Sequence, residues 1–192
     1  MRIEIALAAL SAVLATPAFA APTTYALDPS HSAATFSIKH LGLSTVRGEF
    51  GKLKGTVELD RSNPRASKVE ATIDTASINT REPKRDAHLK SPDFFDVAKF
   101  PTLSFKSTRI DAAPGGGLKL IGDLTIHGVT KSVTFDVQPL SADTKTPFGT
   151  TVVGTSATTR INRRDFGVSG GAAGVMVGDD VNITLDLELV KQ

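Results

Sequence analysis

Apolar and polar residues alternate with a period of two along most of the chain. A strand that alternates in this way turns one face to a dry interior and the other face to water. The pattern predicts seven such β-strands, in residues 35–39, 52–60, 68–74, 102–108, 118–126, 132–138 and 181–189. An eighth strand is predicted between Val152 and Ile161, where Thr, Gly and Ser weaken the alternation.

Short segments rich in Pro and Gly separate the predicted strands. One of them is residues 114–117, and His127-Gly128 is short enough for a tight antiparallel turn. Eight strands that each have one wet face must share a single interior, either as a sandwich or as a closed barrel. Because closure removes exposed strand edges, we predict an all-β fold, an eight-stranded antiparallel β-barrel. Such a barrel is either filled by its own side chains or holds one small ligand.

One segment, around residues 83–98, breaks the alternation. Ser91-Pro92-Asp93 resembles a helix start, with Ser as the cap, Pro at the first position and an acidic residue in the first turn. We therefore predict a short helical insertion here. Its apolar side chains, which include Phe94 and Phe95, must pack against the barrel.

The first 20 residues are typical of a secretory signal peptide. A weakly positive start precedes an apolar run from Ile5 to Leu14, and Ala18-Phe19-Ala20 is a small-x-small cleavage site. The alternative, a membrane anchor, needs about 20 apolar residues, and this run is shorter. We expect cleavage after Ala20, export, and a single domain that spans residues 21–192.

Composition argues against several classes of function. The net charge is +2, and the 22 Lys and Arg residues are spread along the chain, which argues against nucleic-acid binding. The chain has no Cys, so the exported protein has no disulfides. Four scattered histidines without a His-x-x-x-His pair predict no metal site.

Several short strings match one known family in their order and spacing. They are Leu27-Asp28-Pro29-Ser30-His31-Ser32, Phe36-Ser37-Ile38-Lys39-His40, Val46-Arg47-Gly48-Glu49-Phe50, Arg85-Asp86-Ala87-His88-Leu89, Asp93-Phe94-Phe95-Asp96, Phe100-Pro101, residues 124–131 and Arg164-Asp165-Phe166-Gly167. With these strings, residues 21–192 resemble the YceI-like family of periplasmic polyisoprenoid-binding proteins along nearly their whole length.

The resemblance implies a lipocalin-like barrel in the periplasm with an elongated apolar cavity. It implies a bound polyisoprenoid, isoprenoid quinone or fatty chain, and no other cofactor. Because some family members occur beside or fused to a cytochrome of the b561 type, a transient contact with such a membrane partner is a further hypothesis. The oligomeric state stays open.

The inward-facing apolar residues are the candidate lining of a lipid-binding tunnel. The alternative is that the same side chains close into a dry core. The predicted lining is Phe36, Ile38, Val57, Leu59, Ile73, Leu103, Phe105, Leu120, Leu124, Ile126, Phe135, Val137, Ile183, Leu185 and Leu187.

Three polar residues are candidate contacts for a lipid head group. Arg85 and His88 supply hydrogen-bond donors in the helical insertion, and His40 continues the inward parity of the first predicted strand to a barrel mouth. The alternative is a network of ion pairs that docks the helix, with Asp165 as a partner.

Two other classes of function are alternatives to a lipid carrier: an enzyme and a protein-binding module. Gly167-x-Ser169-x-Gly171 matches a nucleophile motif, and an enzyme acting on a lipid-like substrate is the main rival to a carrier. The motif needs a strand-turn-helix context and a later His, whereas the last histidine is His127, so we predict a flexible loop from Gly167 to Gly178 and no catalytic residue. A protein-binding module is the third class, and the outward faces, which show no apolar patch, argue against it.

Overall fold

The structure is a computed structural model that describes residues 21–192, so the predicted signal peptide lies outside the described residues. Residues 21–192 contain one α-helix, α1 (Pro83–Lys90). The strands are β1 (Thr23–Leu27), β2 (Ala33–His40), β3 (Ser44–Phe50), β4 (Leu53–Leu59), β5 (Lys68–Asp74), β6 (Ile78–Asn79), β7 (Thr102–Ala112), β8 (Leu118–Ile126), β9 (Val129–Val137), β10 (Thr144–Lys145), β11 (Thr151–Asn162) and β12 (Val177–Lys191).

Most of these strands combine into longer ones. β1 and β2 pair with the same edge of β12, so they form one strand that is interrupted at residues 28–32. β3 pairs with β2 and β4 pairs with β1, so β3 and β4 continue each other across Lys52, whose φ is 53°. β6 likewise continues β5 after a single 3-10 turn.

The long strands close into a ring. Antiparallel pairing runs through β12, β1, β4, β5, β7, β8, β9 and β11, and β11 returns to β12 over eleven consecutive residue pairs between Val152 and Asn162. This closure confirms the predicted eight-stranded antiparallel barrel. The least regular predicted strand, β11, is therefore the one that closes it.

Threonines explain why β11 alternates poorly. Val153, Ala157 and Ile161 are buried in the interior, but Thr155 lies between them on the same face. Its hydroxyl donates to the backbone carbonyl of Gln138 at 2.8 Å, so the side chain is satisfied there without water. A polar residue therefore replaces an apolar one in the pattern without breaking the strand.

The predicted helix start at Ser91-Pro92-Asp93 is wrong. The helix begins at Pro83, where the carboxylate of Glu82 caps it by accepting hydrogen bonds from the next free backbone N–H groups. Ser91 ends it, because a residue that precedes proline is pushed out of the helical region, and Ser91 has φ −73° and ψ 169°. The insertion is thus one helix over 83–90, followed by turns up to residue 100.

The two ends of the barrel carry different connections. The helix end holds α1, the β2–β3 turn (residues 41–43), the β8–β9 turn His127-Gly128 and the segment 163–176. The opposite end holds residues 60–67, 113–117 and 138–150. Within residues 21–192, no helix has the length and apolar character needed to cross a bilayer.

Candidate functional site

A cavity of about 600 Å³ occupies the barrel interior. All of the residues predicted to line a tunnel lie on its wall. Several of them, including Phe36, Ile183 and Leu187, are only half-buried although they face inward, because they border open space. The side chains therefore do not fill the barrel, and contact of these residues with a ligand stays a prediction.

Two glycines on the inner face of the wall help to keep this space open. A Cβ added to Gly48 would lie 2.5 Å from the ring of Phe36, and one added to Gly122 would lie 2.5 Å from the ring of Phe105. The end of each ring therefore covers a glycine of the neighbouring strand. Phe105 is held in this position by an edge-to-face contact with Phe135 at 5.4 Å.

The cavity opens at the helix end. Four exposed residues there also line it, Lys39, Ser44, His88 and Met176. At the opposite end the lining residues Leu59, Ser67, Ile110 and Leu189 are buried. A long apolar molecule would therefore enter between the β2–β3 turn, α1 and the segment before β12.

The three candidate head-group residues, His40, Arg85 and His88, all line the cavity near this opening. Arg85 also docks the helix, since its Nε donates to the Thr80 hydroxyl and its Nη2 to the Thr80 carbonyl, both at 2.7 Å. Asp86 accepts from the Thr80 backbone N–H at 2.9 Å. The helix is thus docked by hydrogen bonds centred on Thr80, and not by the ion pairs with Asp165 that the alternative predicted.

His88 has a different environment. Its Nε2 lies 3.1 Å from a carboxylate oxygen of Asp93, and its ring meets the ring of Phe94 edge to face at 5.0 Å. The side chain is 44% exposed. The imidazole is therefore oriented by its neighbours at the cavity mouth while it stays accessible.

The segment from Gly167 to Gly178, predicted as a flexible loop, has a partly helical and hydrogen-bonded backbone. It contains a 3-10 helix, Gly171–Met176, and it wraps around the guanidinium of Arg163, whose side chain is 5% exposed. Burial lowers the pKa of Arg163, and Asp179 opposes that effect. The guanidinium donates to the carbonyls of Val168 (2.7 Å), Ser169 (2.6 Å), Gly174 (2.9 Å), Val177 (3.1 Å) and Gly178 (2.9 Å) and to the carboxylate of Asp179 (3.0 Å).

Ser169 is not placed as a nucleophile. Its hydroxyl has a long 3.4 Å contact with the backbone N–H of Gly171, and its carbonyl is used by Arg163. The motif lies between two 3-10 turns rather than between a strand and a helix. In the described chain, no hydrogen bond joins the Ser169 hydroxyl to a histidine.

The sequence did not reveal one polar cluster on the outside of the barrel. His31 Nδ1 lies 2.9 Å from Asp28 and 3.7 Å from Glu188, at the interruption between β1 and β2. The hydrogen bond with Asp28 raises the pKa of His31 and lowers that of Asp28. Glu188 is 157 residues away from His31, so spacing along the chain carries no signal of this contact.

Comparison with known proteins assigns the chain to a family. Residues 25–189 match the model of the YceI-like domain. A UPF0312 protein of Vibrio cholerae is 36% identical over 161 residues, which are 83% of this chain and 85% of that protein.

Two solved structures share the fold. BcnA of Burkholderia cenocepacia has a TM-score of 0.76 at 24% identity, covering 84% of this chain and 98% of its own. A polyisoprenoid-binding domain from Saccharophagus degradans, implicated in plant cell wall breakdown, has a TM-score of 0.68 at 18% identity, covering 88% and 99%. Because residues 25–189 match the family model and the barrel is closed, the chain belongs to the YceI-like family.

Proposed function

We propose that this protein is a periplasmic binding or carrier protein for a long apolar lipid, such as a polyisoprenoid, an isoprenoid quinone or a fatty chain. The observation that carries the proposal is the cavity of about 600 Å³ in the barrel, with its wall of aliphatic and aromatic side chains. This volume lies within the range of pockets that enclose small molecules. The signal-peptide pattern of residues 1–20 supports the periplasmic location.

Burial of an apolar chain supplies enough free energy for such binding. Each methylene group that leaves water contributes about 0.8 kcal/mol, so a dozen contribute about 10 kcal/mol. Association costs about 4–15 kcal/mol, and a preformed wall keeps the cost in the lower part of that range, below the gain, because few side chains must be ordered. Binding therefore needs no catalytic group, and we propose that the protein does not act as an enzyme.

The two ends of the cavity differ in the side chains that line them, and this difference indicates how the lipid is oriented. The opposite end is closed by buried residues such as Leu59 and Leu189, whereas His40, Arg85 and His88 lie near the opening. An apolar tail would therefore point towards the closed end, and a polar head group would meet hydrogen-bond donors at the mouth. A quinone carbonyl or a phosphate would suit these donors.

The test is native mass spectrometry of the protein purified from its own periplasm, followed by organic extraction of the bound molecule. We expect one polyprenyl, quinone or fatty-chain lipid per protein. A protein that arrives empty and stays empty when such lipids are offered would contradict the proposal.

A matched pair of variants shows whether the lipid lies in the barrel. Leu185→Arg places a charge on the cavity wall, and Asp186→Arg places the same side chain on the outer face one residue later. Since a buried unpaired charge is costly, we expect Leu185→Arg to lose the lipid while Asp186→Arg keeps it. Circular dichroism identifies variants that still fold, and a folded Leu185→Arg that retains its lipid would refute the site.

A further inference from the structure

Apolar side chains are exposed on loops at one end of the barrel, which the prediction for the outward strand faces did not cover. At the helix end, Leu41 is 57% exposed, Leu43 82%, Val175 84% and Met176 42%. These four side chains, which we call the apolar rim, lie at the tips of two loops. The tips are joined, because the backbone N–H of Leu41 donates to the carbonyl of Met176 at 2.8 Å.

The local backbone holds the rim outward. Leu41 and Gly42 have φ values of 52° and 70°, and the N–H of Leu43 donates to the carbonyl of His40 at 3.0 Å, so the turn is tight and hydrogen-bonded. On the other loop, Arg163 fixes the segment that carries Val175 through its bonds to Gly174 and Val177. Both leucines and the valine are therefore displayed to solvent by structure that is otherwise well satisfied.

The rim adjoins the mouth of the cavity. Met176 belongs to the rim and lines the cavity, and Ser44, which also lines it, directly follows Leu43. Leu43 and Val175 do not contribute to the cavity wall. Their exposure therefore serves no internal packing and no contact with a lipid inside the barrel.

We propose that the apolar rim docks this end of the barrel onto the surface of a phospholipid bilayer, so that the cavity mouth faces the membrane. The proposal rests on the proposed function, since an apolar ligand has to leave or enter a bilayer without crossing water. Two protruding loop tips can insert between head groups, where their apolar side chains leave water.

Charge and area favour a bilayer over a second copy of the chain. Lys39, beside the rim, is exposed and forms no salt bridge with any residue in the described range 21–192, so it is available to an anionic lipid head group. Four aliphatic side chains offer at most a few hundred Å² of surface. A stable protein interface buries about 800 Å² on each partner, which the rim does not reach.

The test is flotation of the protein with vesicles of phosphatidylethanolamine and phosphatidylglycerol. The test variant is Leu43→Ser with Val175→Ser, which keeps the net charge and alters only exposed side chains. The matched control is Phe148→Ser, because Phe148 is 94% exposed at the β10–β11 turn of the opposite end. We expect the double variant to bind vesicles at least about tenfold more weakly and the control to bind like the wild type.

Uptake of a fluorescent fatty-acid probe from vesicle-free solution separates docking from lipid binding. We expect the double variant to take up the probe as the wild type does. If the wild type takes up no probe, the proposed function is contradicted, and docking is then tested by flotation alone. Docking is overturned if the wild type does not float, if the double variant floats equally well, or if Phe148→Ser loses as much binding. It is also overturned if sedimentation shows that the wild type and Phe148→Ser are dimers and the double variant is a monomer. The rim would then bind a second copy of the chain.

Discussion

Replacing Arg163 with methionine tests whether one buried guanidinium organises the segment that walls the cavity mouth. Methionine fills much of the volume of the arginine stem but donates no hydrogen bond. The change removes bonds to five carbonyl oxygens and to Asp179. Each such bond contributes about 1 kcal/mol to stability, and more where the donor is charged.

The expected loss is smaller than the sum of these bonds. Gly171 and Ala172 are exposed, so water can reach part of the loop and satisfy some of the freed carbonyls. The carbonyls of Val168 and Gly174 belong to buried residues, so water does not readily replace the lost donor there. We therefore expect the free energy of unfolding to fall by about 3–5 kcal/mol, because a buried polar group left without a partner costs about 1–3 kcal/mol and at least these two carbonyls lose their donor.

Urea denaturation followed by circular dichroism measures this loss. With a slope of about 2 kcal/mol per molar urea, the midpoint should fall by about 2 M. Arg164→Met is the matched control, because Arg164 is the next residue, is 51% exposed and bonds Asp179 at 2.6 Å. An exposed pair contributes at most about 1 kcal/mol. If the two variants lose the same stability, or if Arg163→Met loses less than about 1 kcal/mol, the segment is not held by Arg163.

Two other predictions concern the outer cluster and the wall. The folded-state pKa of His31 is raised and that of Asp28 is lowered, so the stability contributed by His31 is complete below its unfolded pKa and is lost as pH rises through the raised value. The contribution of Asp28 is present above its unfolded pKa and is lost as pH falls through the lowered value. NMR titration should find both shifts, and Asp28→Asn should return the pKa of His31 towards its ordinary value; an unchanged His31 would contradict the pairing. Gly122→Ala should cost about 1–3 kcal/mol and reduce lipid capacity, because the new Cβ would meet the Lys106 carbonyl and drive the ring of Phe105 into the cavity. Unchanged thermal stability and lipid load in that variant would show that the ring does not depend on the glycine.

The period-two pattern predicted most of the barrel because it reports which face of a strand is dry. In β12, Val181 to Leu189 alternate without exception, and the inward residues all lie on the cavity wall or in the core beside it. A one-residue slip in register would turn this face to solvent, so the pattern also fixes the register. The residues of the cavity wall come from strands that are distant in sequence, and they follow from the same alternation.

One strand that escaped prediction, β3, has a pattern that depends on a distant partner. β3 reads Val46, Gly48 and Phe50 on its inward face, and the glycine interrupts the alternation. The glycine is there because the ring of Phe36 from the neighbouring strand covers it. A local pattern cannot indicate that a missing side chain is replaced by one from another strand.

For the same reason, the sequence pattern predicts the barrel but does not predict whether side chains fill its interior. Parity tells that Phe36 and Phe105 point inward, but whether they fill the interior depends on the glycines beneath them, which let both rings lie against the wall. Arg163 and Arg164 are likewise equal in sequence, yet only Arg163 is buried, because carbonyls that follow it in the chain turn back to meet its guanidinium. The open cavity depends on backbone that lies close to the rings of Phe36 and Phe105, and the mouth depends on backbone that lies close to Arg163. These close approaches, rather than the hydrophobic pattern, give the barrel room for a ligand.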